Sequence, residues 1–178
     1  MSKFRFLLLD AGPIIRLFRL GIWDTLIKRC EVTITRTVVE EAVHTGELGS
    51  HGYIKFPFEQ AAEEGLITIV DMDLGSVRTF LKNTGVYEKY AIDPGEAETL
   101  AFMASSSENF RVCTADGPVF SALGFLGKAE KGTSLEELLQ KVGLKPSSQL
   151  EWRFTKRFRE KYTKLGKVDL IQGQGFAT

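Results

Sequence analysis

Phe6-Leu7-Leu8-Leu9-Asp10-Ala11-Gly12-Pro13 reads as a strand that passes directly into a helix. With Phe4 ahead of it, residues 4–9 form an apolar run broken only by Arg5. Such a run predicts a strand buried on both faces, the habit of a parallel sheet. Gly12-Pro13 opens the helix, because proline lacks the N–H that a first helical turn leaves unused. Asp10 stands at the junction.

Comparable junctions recur downstream. Residues 31–35 alternate and are β-branched, and they lead into a helix over 37–43 that carries Glu41. Residues 66–70 read as a strand after a short helix over 59–64. Helices follow over 74–82 and 88–91, then one over 94–106. Asp93 caps the last of these, Pro94 takes its first position, and Glu96 stands where a capping box needs an acid. Glu98 follows two residues later. Residues 110–114 are the next strand, and Asp116 opens a helix over 116–123 that Gly124 ends. Ser134 and Glu137 form a second capping box ahead of a helix over 135–142. Strands alternating with helices predict an α/β fold: a three-layer α/β/α arrangement around a mainly parallel sheet.

Bulk properties narrow the function. A chain of 178 residues with 43% apolar content supports one domain with a full core. Its 23 basic and 23 acidic residues cancel, so total charge demands no nucleic-acid partner. The distribution is uneven. Residues 151–167 carry seven basic and two acidic residues, so the rest of the chain has five net negative charges. Two cysteines and two histidines, His44 and His51, are too few for a disulfide framework or a zinc site. No apolar run reaches the length of a membrane span and no leader pattern precedes the first strand, so the expected location is cytoplasmic.

Each acid alone has an ordinary reading. Asp10 and Asp116 suit helix caps, Glu41 suits a helix dipole, and Glu96 suits its box; Glu98 has the weakest structural reason to exist. Together they mean more. In open parallel sheets, ligands bind beyond the carboxyl ends of the strands, the edge that all five acids face. Two like charges about 4 Å apart repel by about 4 kcal/mol at an effective dielectric near 20. Gathered acids therefore call for a cation, and hard oxygen donors without Cys or His suit Mg²⁺ or Mn²⁺.

The same segments, in the same order, resemble the four motifs of PIN-domain nucleases. FLLLDAGPII (residues 6–15) resembles the opening strand and first acid; ITRTVVEEAV (34–43) the second motif, whose Val-x-x-Glu selects Glu41 over Glu40. GEAETLA (95–101) resembles the third and VCTAD (112–116) the fourth, including Thr114 two residues before its acid. Glu98 has the spacing to Asp116 of the third acid in many bacterial members, and Glu96 matches the first acid of a GE-x-E variant. Asp10 is followed by Ala-Gly rather than the Thr or Ser of many members. The likeness covers about residues 4–142, which implies a PIN-like nuclease domain over 1–145 followed by a basic C-terminal helical extension over 146–178.

The resemblance implies a metal-dependent endoribonuclease acting on single-stranded RNA in the manner of toxin-type members. Asp10, Glu41, Glu98 and Asp116 would be catalytic, and these with Glu96 would hold one or two Mg²⁺ or Mn²⁺ ions. Thr114 would orient a ligand or water. A homodimer is expected, and whether an antitoxin-type partner accompanies it stays open. Arg36, beside the second motif, is a candidate phosphate contact. In the tail, Phe154, Phe158, Tyr162 and Leu165 form the docking side of an amphipathic helix. Arg153, Arg157, Lys161 and Lys164 form an adjacent basic stripe suited to an RNA backbone.

Other classes fit less well. A phosphatase of the haloacid-dehalogenase type needs a second Asp where Gly12 stands, and a dinucleotide site needs a glycine fingerprint after the first strand. A PIN-like module that has lost turnover and serves as an RNA binder or scaffold is the remaining alternative.

Overall fold

The structure, a computed structural model, describes residues 4–47 and 56–173. Five parallel strands form one sheet in the order β3-β2-β1-β4-β5. They are β1 (Phe4–Leu9), β2 (Cys30–Thr35), β3 (Ile67–Val70), β4 (Arg111–Cys113) and β5 (Gly132–Thr133). The chain lays β2 and β3 on one side of β1, then crosses to lay β4 and β5 on the other. That reversal puts the topological switch point between β1 and β4.

Helices cover both faces. The helices α1 (Ala11–Arg19), α2 (Trp23–Arg29), α3 (Arg36–Glu47) and α4 (Phe58–Glu63) come first. They are followed by α5 (Leu74–Thr84), α6 (Val86–Tyr90), α7 (Pro94–Ser105), α8 (Gly117–Phe125), α9 (Leu135–Lys141) and α10 (Lys156–Ile171). The pleat of the strands sorts their contacts. Leu7 and Leu9 with Val32, Ile34 and Cys113 join a core that includes residues of α1–α4 and α9. Leu8 and Val112 join a second core with α6, α7, α8 and α10, and Val77, Phe80 and Leu81 of α5 pack against it. The architecture is therefore three-layered α/β/α with an all-parallel centre, as the alternation of elements predicts.

Several local details differ from the sequence reading. β1 is interrupted by a bulge between Phe4 and Leu7, where Phe6 adopts φ 57°, a conformation that costs a non-glycine residue energy. The bulge turns Arg5 outward, where its guanidinium stacks over the Phe6 ring and pairs with Glu31 at 3.1 Å. α3 runs to Glu47, four residues beyond the expected helix end at Val43; His51 and the rest of 48–55 lie outside the described residues. β5 escapes a pattern reading because two residues show no alternation.

Gly124 does not end α8. It lies inside that helix, facing Gly166 of α10. A Cβ on Gly166 would stand 1.8 Å from the Ser121 carbonyl oxygen, and one on Gly124 would stand 2.3 Å from the Thr163 carbonyl oxygen. Both glycines are needed because the two backbones touch. The docking face of α10 accordingly consists of Phe158, Tyr162, Thr163 and Gly166, and Leu165, expected on that face, is 49% exposed. Phe154 is buried in the first core and Phe158 in the second. Arg159 pairs with Glu137 through two contacts of 2.7 and 2.8 Å, and Tyr90 donates to Asp169 at 2.6 Å. Among the described residues, no helix is long and apolar enough to cross a membrane.

Candidate functional site

The register of β1 against β4 pairs Leu9 with Cys113, so the next residues, Asp10 and Thr114, leave the sheet side by side. The Asp10 N–H donates to the Cys113 carbonyl at 3.1 Å, which continues the ladder by one step. The Thr114 hydroxyl, wholly buried, donates to Asp10 Oδ2 at 2.7 Å and accepts from the Asp116 N–H at 3.0 Å. One hydroxyl thus orients the first acid and holds the backbone of the last. Asp10 Oδ1 accepts from the Ala11 N–H at 2.8 Å as the cap of α1. Asp116 Oδ1 caps α8 through Val119 N–H at 3.4 Å.

Glu41 and Glu96 reach the same place from α3 and α7. Gly95 makes this possible. A Cβ there would lie 3.1 Å from Glu41 Oε2 and 3.3 Å from Val38 Cγ2. Glu41 counts as exposed over its whole length, yet its carboxylate rests against the first turn of α7. Glu96 accepts from the Asp93 N–H at 3.0 Å, and Asp93 accepts from the Glu96 N–H at 2.8 Å, which completes the predicted capping box. Proximity to the Glu96 carboxyl lowers the proton affinity of Asp116 against the effect of burial.

The electrostatics are those of acids crowded without a cation. Burial raises Asp10 to about 6, against the lowering effect of its two hydrogen bonds, and the charges of Asp93 and Asp116 raise it further. Glu41 is pushed up to about 7 by desolvation and then by Asp10, Asp93 and Asp116. Glu96 is pushed up to about 9 and Asp116 is also raised, each chiefly by burial.

Four of the five predicted acids, Asp10, Glu41, Glu96 and Asp116, therefore lie within electrostatic reach of one another at one end of the sheet. Glu98 does not point among them. It is 4% exposed and spends both oxygens on backbone donors, Thr37 N–H at 3.0 Å and Met72 N–H at 2.9 Å. It ties the start of α3 and the segment before α5 to α7. Asp93, which its capping role explains locally, adds its charge to all four converging groups. A capping position fully accounts for an Asp, so nothing in the sequence marked it for a second effect. Arg36 at the start of α3 is paired with Glu59. Arg153, Arg157, Lys161 and Lys164 are all exposed along the tail.

Among the described residues, no group of three or more His, Cys, Asp or Glu side chains is placed to hold a metal ion. The donor chemistry fits one nonetheless. Every one of the four acids is a hard oxygen acceptor, and burial first, then neighbouring carboxylates, raises their proton affinities. No family model matches the chain, and no curated protein aligns with it.

Proposed function

We propose that this chain is a metal-dependent nuclease, an endoribonuclease that cleaves single-stranded RNA, of the PIN-domain type its four motifs resemble. The observation that carries the reading is the convergence of Asp10, Glu41, Glu96 and Asp116 at the switch point between β1 and β4. These four would hold one or two Mg²⁺ or Mn²⁺ ions, which when bound offset the acids' charge, polarise a phosphodiester and make water acidic enough to attack it. The chain's own residues prepare that site. Thr114 fixes the direction of Asp10, and the Asp93–Glu96 box fixes the first turn of α7. Gly95 leaves room for Glu41. Glu98 braces the helix that carries Glu41 against the helix that carries Glu96.

Substrate binding has a natural element in α10. The Tyr162 ring packs over Gly117, the residue after Asp116, so the helix with Lys161 and Lys164 runs beside the acids. An acidic centre repels a polyanion, and exposed cations next to it offset that repulsion. The reading of a catalytically silent RNA-binding or scaffold module draws on one observation: among the described residues, no group of three or more acids is placed to hold a metal ion.

One experiment separates the two. Wild-type protein with Mn²⁺ should cut single-stranded RNA. Asp10→Asn and Asp116→Asn should lower the rate by about a hundredfold or more with circular dichroism unchanged. A wild type that cuts no member of an RNA and DNA panel and takes up no Mn²⁺ by calorimetry leaves the silent module.

A further inference from the structure

Next to the acids lies a cleft of about 410 Å³, within the usual range of small-ligand sites. It opens between the start of α3, the segment after β3, helices α5 and α6, and the start of α7. Its walls include Leu74, Val77, Tyr87 and Ile92. Leu74 is 73% exposed and Tyr87 is 52% exposed, although both are large and apolar enough to bury. Helix α5 has no fully buried residue at all; its apolar side faces this cleft and the rim of the second core. The fold thus leaves an apolar surface uncovered at one place that adjoins the acids, for Asp93 lines the cleft and also charges the acid cluster.

We propose that this cleft is a nucleobase site that takes a guanine of the RNA strand. The inference rests on the nuclease reading and adds a specificity element to it. An aromatic ring and aliphatic walls suit the flat face of a base. The polar groups of the cleft choose among bases. Glu98 spends both oxygens on Thr37 N–H and Met72 N–H, and Asp93 spends Oδ1 on Glu96 N–H. Asp71 is exposed at the cleft and is an acceptor only. A carboxylate favours an edge with adjacent donors, and among the four bases only guanine offers two side by side, N1–H and N2–H. The Thr37 hydroxyl, also in the lining, can donate to guanine O6.

The test uses the full chain and two independent readouts. In metal-free solution, guanosine should shift the amide resonances of Thr37, Met72 and Tyr87 and bind more tightly than adenosine, cytidine or uridine. Tyr87→Ala should weaken that binding about tenfold or more, and Asp71→Asn should erase the preference for guanosine. With Mn²⁺, Tyr87→Ala should raise KM for guanine-containing RNA about tenfold with kcat unchanged, and leave RNA without guanine unaffected. Neither residue belongs to the acid cluster, and both are exposed, so the fold is not at risk. Guanosine binding without any RNA cleavage would retain the base site and remove the nuclease reading. Cleavage with no guanosine shifts at these residues, and with KM unchanged in Tyr87→Ala, would overturn the base site and retain the nuclease.

Discussion

Glu96 and Glu137 occupy the same position of the same local motif. Each is the third residue of a helix, each accepts from the N–H of its capping residue at 3.0 Å, and each cap accepts in return. Their charges nevertheless meet opposite surroundings. At the start of α9, Arg159 reaches over from α10 with two hydrogen bonds and, with Ser134, holds Glu137 below the ordinary carboxylate range despite partial burial. At the start of α7, burial drives Glu96 up, and the charges of Asp116, Asp93 and Asp10 add to it. The chain neutralises the first box itself and leaves the second to be neutralised from outside. That contrast is the strongest physical reason to look for a cation at the second.

The contrast depends on α10 staying clamped, so the largest effect is expected from Gly166→Ala. Its Cβ would meet the Ser121 carbonyl, and backbone cannot yield as a side chain can. The expected loss is about 3 kcal/mol of unfolding free energy, read by denaturant titration.

The acid side of the contrast predicts an unusual pH dependence. Asp10 is raised in the folded protein, so the unfolded chain ionises first and stability falls as pH rises from about 4 to about 7. The contribution from Asp10 alone is about 3 kcal/mol. Thermal melts without divalent ions should show this decline, Asp10→Asn should flatten it, and Mn²⁺ at pH 7.5 should reverse it. A melting temperature that rises over this interval in the metal-free wild type would break the comparison.

The neutralised side predicts the opposite sign. Glu137 is lowered, so its stabilisation is present above the unfolded value and is lost as pH falls. Arg159→Met should cost about 2 kcal/mol at pH 7, since the pair is largely shielded from water, and less once pH falls through the lowered folded value of Glu137. The smallest effect concerns the exposed stripe. Replacing Arg153, Arg157, Lys161 and Lys164 with Ser should leave stability within about 0.5 kcal/mol. RNA affinity should fall about tenfold, with a shallower dependence on salt.

The extent of legibility follows from the range of the interactions involved. Runs such as residues 4–9 and the capping signals at Asp93 and Ser134 act within a few residues, so strands, helix starts and the α/β class could be read directly. Asp10 and Asp116 could be assigned to the site for the same reason: each follows a buried strand, and strand ends in a parallel sheet share an edge. Glu96 and Glu98 could not be told apart, because both lie within a turn and a half of the helix start. Only the direction of each side chain separates them. The spacing with the better match to the resembling family belongs to Glu98, yet Glu98 is the one that binds Thr37 and Met72 backbone groups. The tail helix was legible as amphipathic, but the glycine contact that orients it, and so exposes Leu165, needs two segments forty residues apart.

The sequence by itself determined the alternation of strands and helices, the caps, the separation of an acidic body from a basic tail, and the acids at strand ends. All of these rest on local periodicity and on backbone groups that neighbours must satisfy. The tertiary structure decided which carboxylates face one another, that Gly95 admits Glu41, and that Arg159 serves Glu137 and not Glu96. Those outcomes depend on where separate helices land on the sheet, and an identical capping box carries no information about which distant charge will stand opposite it.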